Sequence, residues 1–151
     1  MEANDKWIFW IVASLVVIVD QASKLIVRSK LSVGHNIPIL GRIFSIEYLQ
    51  NPGALFGLFP SLTKYFIVMS IIAIILIGFI TVRFPFSRFV LVSFGLMIGG
   101  ISGNLIDRIV FGYVTDFLYI THWPIFNIAD SAIDVGIAIF VYYVLRYGKY
   151  F

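Results

Sequence analysis

Apolar residues run along this chain in long uninterrupted stretches, without the alternation or striping of a soluble fold. Residues 65–82 and 89–106 are each 18 positions without a charge. Residues 7–19 form a third such run, which continues past Asp20 and Lys24 to about Val27. Residues 129–145 are apolar apart from Asp130 and Asp134. Crossing about 30 Å of hydrocarbon takes roughly 20 apolar residues in a helix. Four transmembrane helices are therefore expected, over about 7–27, 65–82, 89–108 and 129–146. The first is read as a retained span, because its leader is not net basic and Asp20 and Lys24 follow where a small-residue cleavage site would stand.

The segment between the first two runs, about 28–63, is not a fifth span. Gly34, Pro38, Gly41, Pro52, Gly53, Gly57 and Pro60 break it, and a helix in lipid would not tolerate them together. Residues 43–49 alternate, with Phe44, Ile46 and Tyr48 on one face and Ser45 and Glu47 on the other, which is a strand pattern. The fold class expected is a single-domain membrane bundle over 1–151: four helices, with a small extracytoplasmic β-sheet or cradle. A second outer loop would cover about 109–128.

Composition agrees. Of 151 residues, 60% are hydrophobic and 13% charged, far from the balance of a water-soluble domain. The net charge of +3 is spread without a basic run, so nucleic-acid binding has no electrostatic support. The chain has no cysteine, and its two histidines, His35 and His122, lie far apart. Disulfides, thiolate metal sites and thiol nucleophiles are excluded, and no metal site or cofactor is expected. The chemistry falls to carboxylates, amides, hydroxyls, Lys and Arg.

The short linker 83–88 carries Arg83 and Arg88, and the C-terminal end carries Arg146 and Lys149. Short basic segments favour the cytoplasm, so both termini and this linker are expected inside. Asp20, Lys24, Asn51, Asn104, Asp107, Arg108, Asp116, Asn127 and Asp130 then converge near the outer leaflet. Of the eight acids, only Glu2 and Asp5 fall at the cytoplasmic end. Ionisable groups at membrane depth are costly and mark candidate sites. Plainer readings stand beside several of them. Asp20 and Lys24, spaced i,i+4, can be a structural ion pair. Gly95, Gly99 and Gly103 form a stripe suited to close helix packing. Arg108 can tie its helix to a neighbour, and Asp107 can set local charge. Asp134, one turn below Asp130, is either buried and protonated or lines a water-filled cavity.

Asp116, in a β-like run after the third span, and Asp130, where the chain re-enters the membrane, resist a plain reading. Two carboxylates close together in a low dielectric separate in proton affinity. One can activate water while its protonated partner donates to the carbonyl under attack. Such aspartic-protease chemistry requires neither thiol nor metal, but spacing alone does not bring the two side chains together.

The sequence resembles the bacterial lipoprotein signal peptidases, also called signal peptidase II. Five segments in order carry the likeness: Asp20-Gln-Ala-Ser-Lys24, Asn51-Pro-Gly-Ala-Leu-Phe56, Gly99-Gly-Ile-Ser-Gly-Asn-Leu-Ile-Asp-Arg108, Val114-Thr-Asp-Phe117 and Phe126-Asn-Ile-Ala-Asp130. One departure is Leu55, where the family more often has a small residue. The resemblance implies an intramembrane aspartic endopeptidase of the bacterial plasma (inner) membrane, acting as a monomer among membrane lipid. It would cut prolipoproteins just before the diacylglyceryl-modified lipobox cysteine. It also implies Asp116 and Asp130 as the catalytic pair. Asp20, Lys24, Asn51, Gly53, Phe56, Asn104, Arg108 and Asn127 would support the site or bind substrate.

Two other classes compete. A small channel or transporter should distribute ionisable groups through both leaflets to form a path, and here the cytoplasmic half of the bundle has none. A Ser–Lys peptidase would need Ser23 or Ser102 beside Lys24. Ser23 and Lys24 are adjacent in a helix, so they point about 100° apart.

Overall fold

The computed structural model describes residues 5–41, 43–53 and 63–148. Its helices are α1 (Lys6–Lys30), α2 (Thr63–Arg83), α3 (Arg88–Phe111) and α4 (Ile128–Tyr147). Its strands are β1 (Asn36–Leu40), β2 (Phe44–Asn51) and β3 (Val114–Ile120). All four helices are long and apolar enough to cross a membrane. Both α1 and α3 end about one turn beyond the spans expected from hydropathy, at Lys30 and Phe111.

The third helix is the axis of the molecule. Each of the other three helices packs on α3, and α1 also touches α4. Its glycines let the neighbours approach. A Cβ at Gly95 or Gly99 would collide with Val12 or Val16 of α1, and one at Gly100 with the Ala129 carbonyl of α4. Small residues are how helices pack closely where lipid tails supply no hydrophobic drive. By contrast α2 packs mainly on α3 and buries only Thr81, whose hydroxyl bonds back to the Ile77 carbonyl, while Lys6 of α1 donates to the Val82 carbonyl near its end. Outward-facing positions are apolar all round the bundle, from Trp7 and Leu25 to Met69, Phe79 and Leu145. That is the surface lipid demands and water would reject.

Two apolar clusters hold the ends. One joins Phe9 and Ala13 of α1 to Val90, Leu91, Phe94 and Ile98 of α3, with Phe86 and Phe140 against Phe94 at 5.3 Å between ring centres. The other joins Val27 of α1, Tyr48 of β2 and Phe117 of β3, and so seats the sheet on the bundle.

The sheet is antiparallel in the order β1-β2-β3. The alternation expected over 43–49 is only half observed. Ser45 and Tyr48 are both buried, three residues apart, because the β2–β3 register slips between Ile46 and Leu49. A bulge adds one residue to one strand and turns the side chains after it to the other face. Below the slip the pairing resumes, with Leu49 opposite Asp116 and Asn51 opposite Val114.

Candidate active site

Chain geometry brings Asp116 and Asp130 to one place. Gly112 ends α3 in the left-handed region, at φ 78°, and its N–H closes on the Arg108 carbonyl. Glycine adopts that conformation without a Cβ clash, so the chain reverses at once into β3, which crosses the end of the bundle. After a turn through His122, at φ 68°, the backbone of Phe126 returns to pair with Phe117 and Leu118. This return sets Asn127 beside Asp116. Asn127 then caps α4 in a reciprocal box: its side chain accepts from the Asp130 N–H, and Asp130 accepts from the Asn127 N–H at 3.2 Å.

Asn127 thus links the two acids. Its Nδ2 donates to Asp116 Oδ1 at 2.7 Å, while its backbone N–H holds Asp130 Oδ2. The other oxygen of Asp116 accepts from Asn51 Nδ2 at 2.9 Å, and Asn51 Oδ1 accepts from the Gly53 N–H. The other oxygen of Asp130 accepts from Asn104 Nδ2 at 2.7 Å. Asn104 cannot turn over, because its Oδ1 already accepts from Lys24 Nζ at 2.9 Å and from Asn127. Burial pushes the Asp116 carboxyl up to about 7; the Asn51 hydrogen bond opposes this, and the Asp130 charge adds to it.

Behind the acids lies a second layer, almost wholly buried. Lys24 sits 2.8 Å from Asp20 and 3.5 Å from Asp107, all three with no exposed side-chain surface. The ammonium is thus ion-paired to both acids and donates to Asn104 Oδ1. Asp20 also accepts from the Ala129 N–H at the start of α4. Asp107 Oδ1 receives Arg28 and Gln21, while its Oδ2 receives the backbone N–H of Thr115, immediately before Asp116. Arg28 adds a bond to the Thr115 hydroxyl at 3.0 Å and stacks over Phe111.

Of the residues expected at the site, Asp20, Lys24, Asn51, Gly53, Asn104, Asn127, Asp116 and Asp130 therefore come together. Arg108 reaches the same end, but its guanidinium lies over the Phe66 ring of α2 at 5.0 Å. Among the described residues it forms no ion pair with either acid. Phe56 and Leu55 lie outside the described residues. Gln21, Arg28 and Thr115 were not expected as site residues, and Asp107 was expected at this end only to set local charge. Three of these four stand inside the motifs quoted above, where their signal was available, whereas nothing in the sequence marks Arg28. The Ser–Lys alternative finds no support, since the Ser23 hydroxyl bonds to the Asp20 carbonyl and Lys24 is engaged by Asp20, Asp107 and Asn104.

Fold and site define a multi-pass membrane protein that gathers a linked pair of acids and their polar support at one end of its bundle. The chain belongs to the signal peptidase II family, whose model, described as Signal peptidase (SPase) II, matches residues 12–146. It is 41% identical over 140 residues to the lipoprotein signal peptidase of Halothermothrix orenii, covering 93% of this chain and 97% of that one. Against the lipoprotein signal peptidase of Moorella thermoacetica it is 41% identical over 138 residues, covering 91% and 92%. A bacterial membrane enzyme solved at 2.3 Å superposes with a TM-score of 0.86 at 29% identity, covering 91% of this chain and 87% of that one. A second, solved at 1.9 Å, gives 0.85 at 28%, covering 92% and 93%. The protein is a bacterial membrane peptidase that removes signal peptides, and the channel reading has no support.

Proposed function

We propose that this peptidase is of the aspartic type, with Asp116 and Asp130 as its catalytic pair. It acts on bacterial prolipoproteins and cuts immediately before the lipobox cysteine that carries the diacylglyceryl group. The observation that supports this is the single residue Asn127, whose side-chain amide donates to Asp116 and whose backbone N–H donates to Asp130. A carboxyl near 7 beside a second carboxylate is suited to share one proton with it.

In the cleavage step Asp130 takes a proton from water as the water oxygen attacks the scissile carbonyl, and Asp116 gives its proton to the carbonyl oxygen. Collapse of the tetrahedral adduct breaks the C–N bond: the nitrogen leaves with the proton from Asp130, and one hydroxyl of the adduct returns its proton to Asp116. Asn51, Asn104 and Asn127 hold the carboxylate oxygens in place, and Lys24 locks Asn104. The substrate backbone must be unwound at this level, since helical carbonyls are already hydrogen-bonded.

The site is assigned to the outer face of the plasma (inner) membrane, with both termini and the 83–88 linker cytoplasmic, on the strength of Arg83, Arg88 and Arg146 at the opposite end. The signal peptide, itself an apolar helix, would reach the pair sideways through lipid while its acyl chains remain in the bilayer. One domain and one copy suffice, because every proposed catalytic group comes from this chain; nucleic acid has no part.

Incubation of purified protein with lipidated and unlipidated prolipoprotein, followed by mass analysis, tests the proposal. The expected product begins at the lipidated cysteine. Cleavage elsewhere, or undiminished cleavage by folded Asp116→Asn, would refute it.

A further inference from the structure

Helices α2 and α4 both pack on α3 and scarcely touch each other. Arg108 meets Phe66 of α2, Gly100 meets Ala129 and Ile133 of α4, and Asn104 between them reaches Asp130. A groove therefore runs down α3 between its two neighbours, with the acid pair at its head. One polar side chain stands on this path that the proposed pair does not use. Asp134 lies one turn below Asp130 on the same face of α4, while Ala129, Ala132 and Gly136 carry the packing on the other face. It is exposed, and among the described residues it has neither a hydrogen bond nor an ion pair. It sits six residues into the helix, about 9 Å along the axis, beside exposed Val135 and Ile137.

A carboxylate at that depth does not rest against hydrocarbon. With no donor among the described residues, it requires water in the groove. When an apolar segment fills the groove that water is expelled, and the carboxylate then needs a donor from the occupant. We propose that Asp134 is a specificity-determining residue, which favours signal peptides bearing a hydroxyl or amide side chain shortly before the scissile bond. This rests on the reading that Asp116 and Asp130 cut a signal peptide lying in this groove. The register follows from helix geometry. Four residues separate Asp134 from Asp130, about 6 Å along the axis. An extended substrate covers that length in about two residues, at roughly 3.3 Å each, and a helical one in four. The preferred donor thus falls two to four residues before the cut.

The experiment uses lipidated prolipoprotein peptides that differ only by Ser or Leu at each of those positions, with initial rates measured in detergent micelles. The enzymes are the wild type, Asp134→Leu and Asp134→Asn. Wild type should favour Ser at one of these positions by about tenfold in kcat/KM, the worth of one hydrogen bond to a charged group. Asp134→Leu should erase that ratio. Asp134→Asn, which keeps a carbonyl acceptor without the charge, should retain part of it. A wild type indifferent to Ser or Leu at every position, or an unchanged ratio in Asp134→Leu, overturns the inference. Both results are read from active enzyme and leave the catalytic pair untouched. Turnover by Asp116→Asn would strike the pair itself.

Discussion

A carboxyl held near 7 instead of the ordinary 3.8 is about half protonated at neutral pH, and this makes Asp116 the most informative single residue. As the proton donor it is lost when pH rises through about 7, so kcat/KM should fall close to tenfold per unit above that point. A profile flat to pH 9 would remove it from that role. Linkage has its own sign. Between about 4 and about 7 the folded Asp116 keeps a proton that the unfolded chain has released, so stability falls with rising pH across that window and levels above it. The slope is at most about 1.4 kcal/mol per pH unit. Asp116→Asn should abolish cleavage and flatten this slope in thermal melts across pH. Lys24 acts differently. Its removal in Lys24→Ala leaves Asp20 and Asp107 buried without their shared cation, at a cost of about 3–5 kcal/mol. The melting temperature should drop sharply, with partial recovery in the double variant carrying Asp20→Asn. A wild-type melt for Lys24→Ala would show that the buried cluster contributes nothing to the fold.

Among the elements, the contact of α1 with α3 decides how well the site is held. A methyl at Gly103 would lie 2.5 Å from Asp20 Oδ2, and that carboxylate is pinned by Lys24 and by the Ala129 N–H. Gly103→Ala should therefore force the two helices apart and cost about 1–3 kcal/mol. It should lower activity too, because Lys24 and Asn104 ride on those two helices. Gly78 on α2 is the matched control, since a Cβ there meets nothing within 4 Å. Gly78→Ala should leave the melt unchanged or slightly raised, by the helix propensity of alanine. Equal melting temperatures for the two variants would contradict this account of helix packing.

For the molecule as a whole the open quantity is its orientation, on which the proposed access of substrate depends. The chain has no cysteine, so single cysteines can be placed freely. A Cys at Ser87, the N-cap of α3 at the basic end, should be shielded from an impermeant thiol reagent applied to spheroplasts. One at exposed Trp123, beside the sheet, should react. The reverse labelling pattern would put the acid pair on the cytoplasmic side and end the proposed topology.

Hydropathy alone determined the four spans, because in lipid a backbone must satisfy its own hydrogen bonds and an apolar run of that length becomes a helix. The five motifs and their order determined the family, and the i,i+4 spacing of Asp20 and Lys24 determined their ion pair, since a helix sets that distance locally. The packing role of Gly95 and Gly99 was legible for the same reason. Only the tertiary structure decided what depends on contacts between distant segments. It paired the edge of β2 with β3 and slipped the register that put Ser45 and Tyr48 on one side. It folded the backbone of Phe126 onto Leu118, so that one asparagine touches both acids. It aimed Arg28 and Asp107 at the strand that carries Asp116. Pattern along a chain reports which face is apolar; it does not report which polar groups meet once the faces are packed, because that distance is set by how the helices and strands cross.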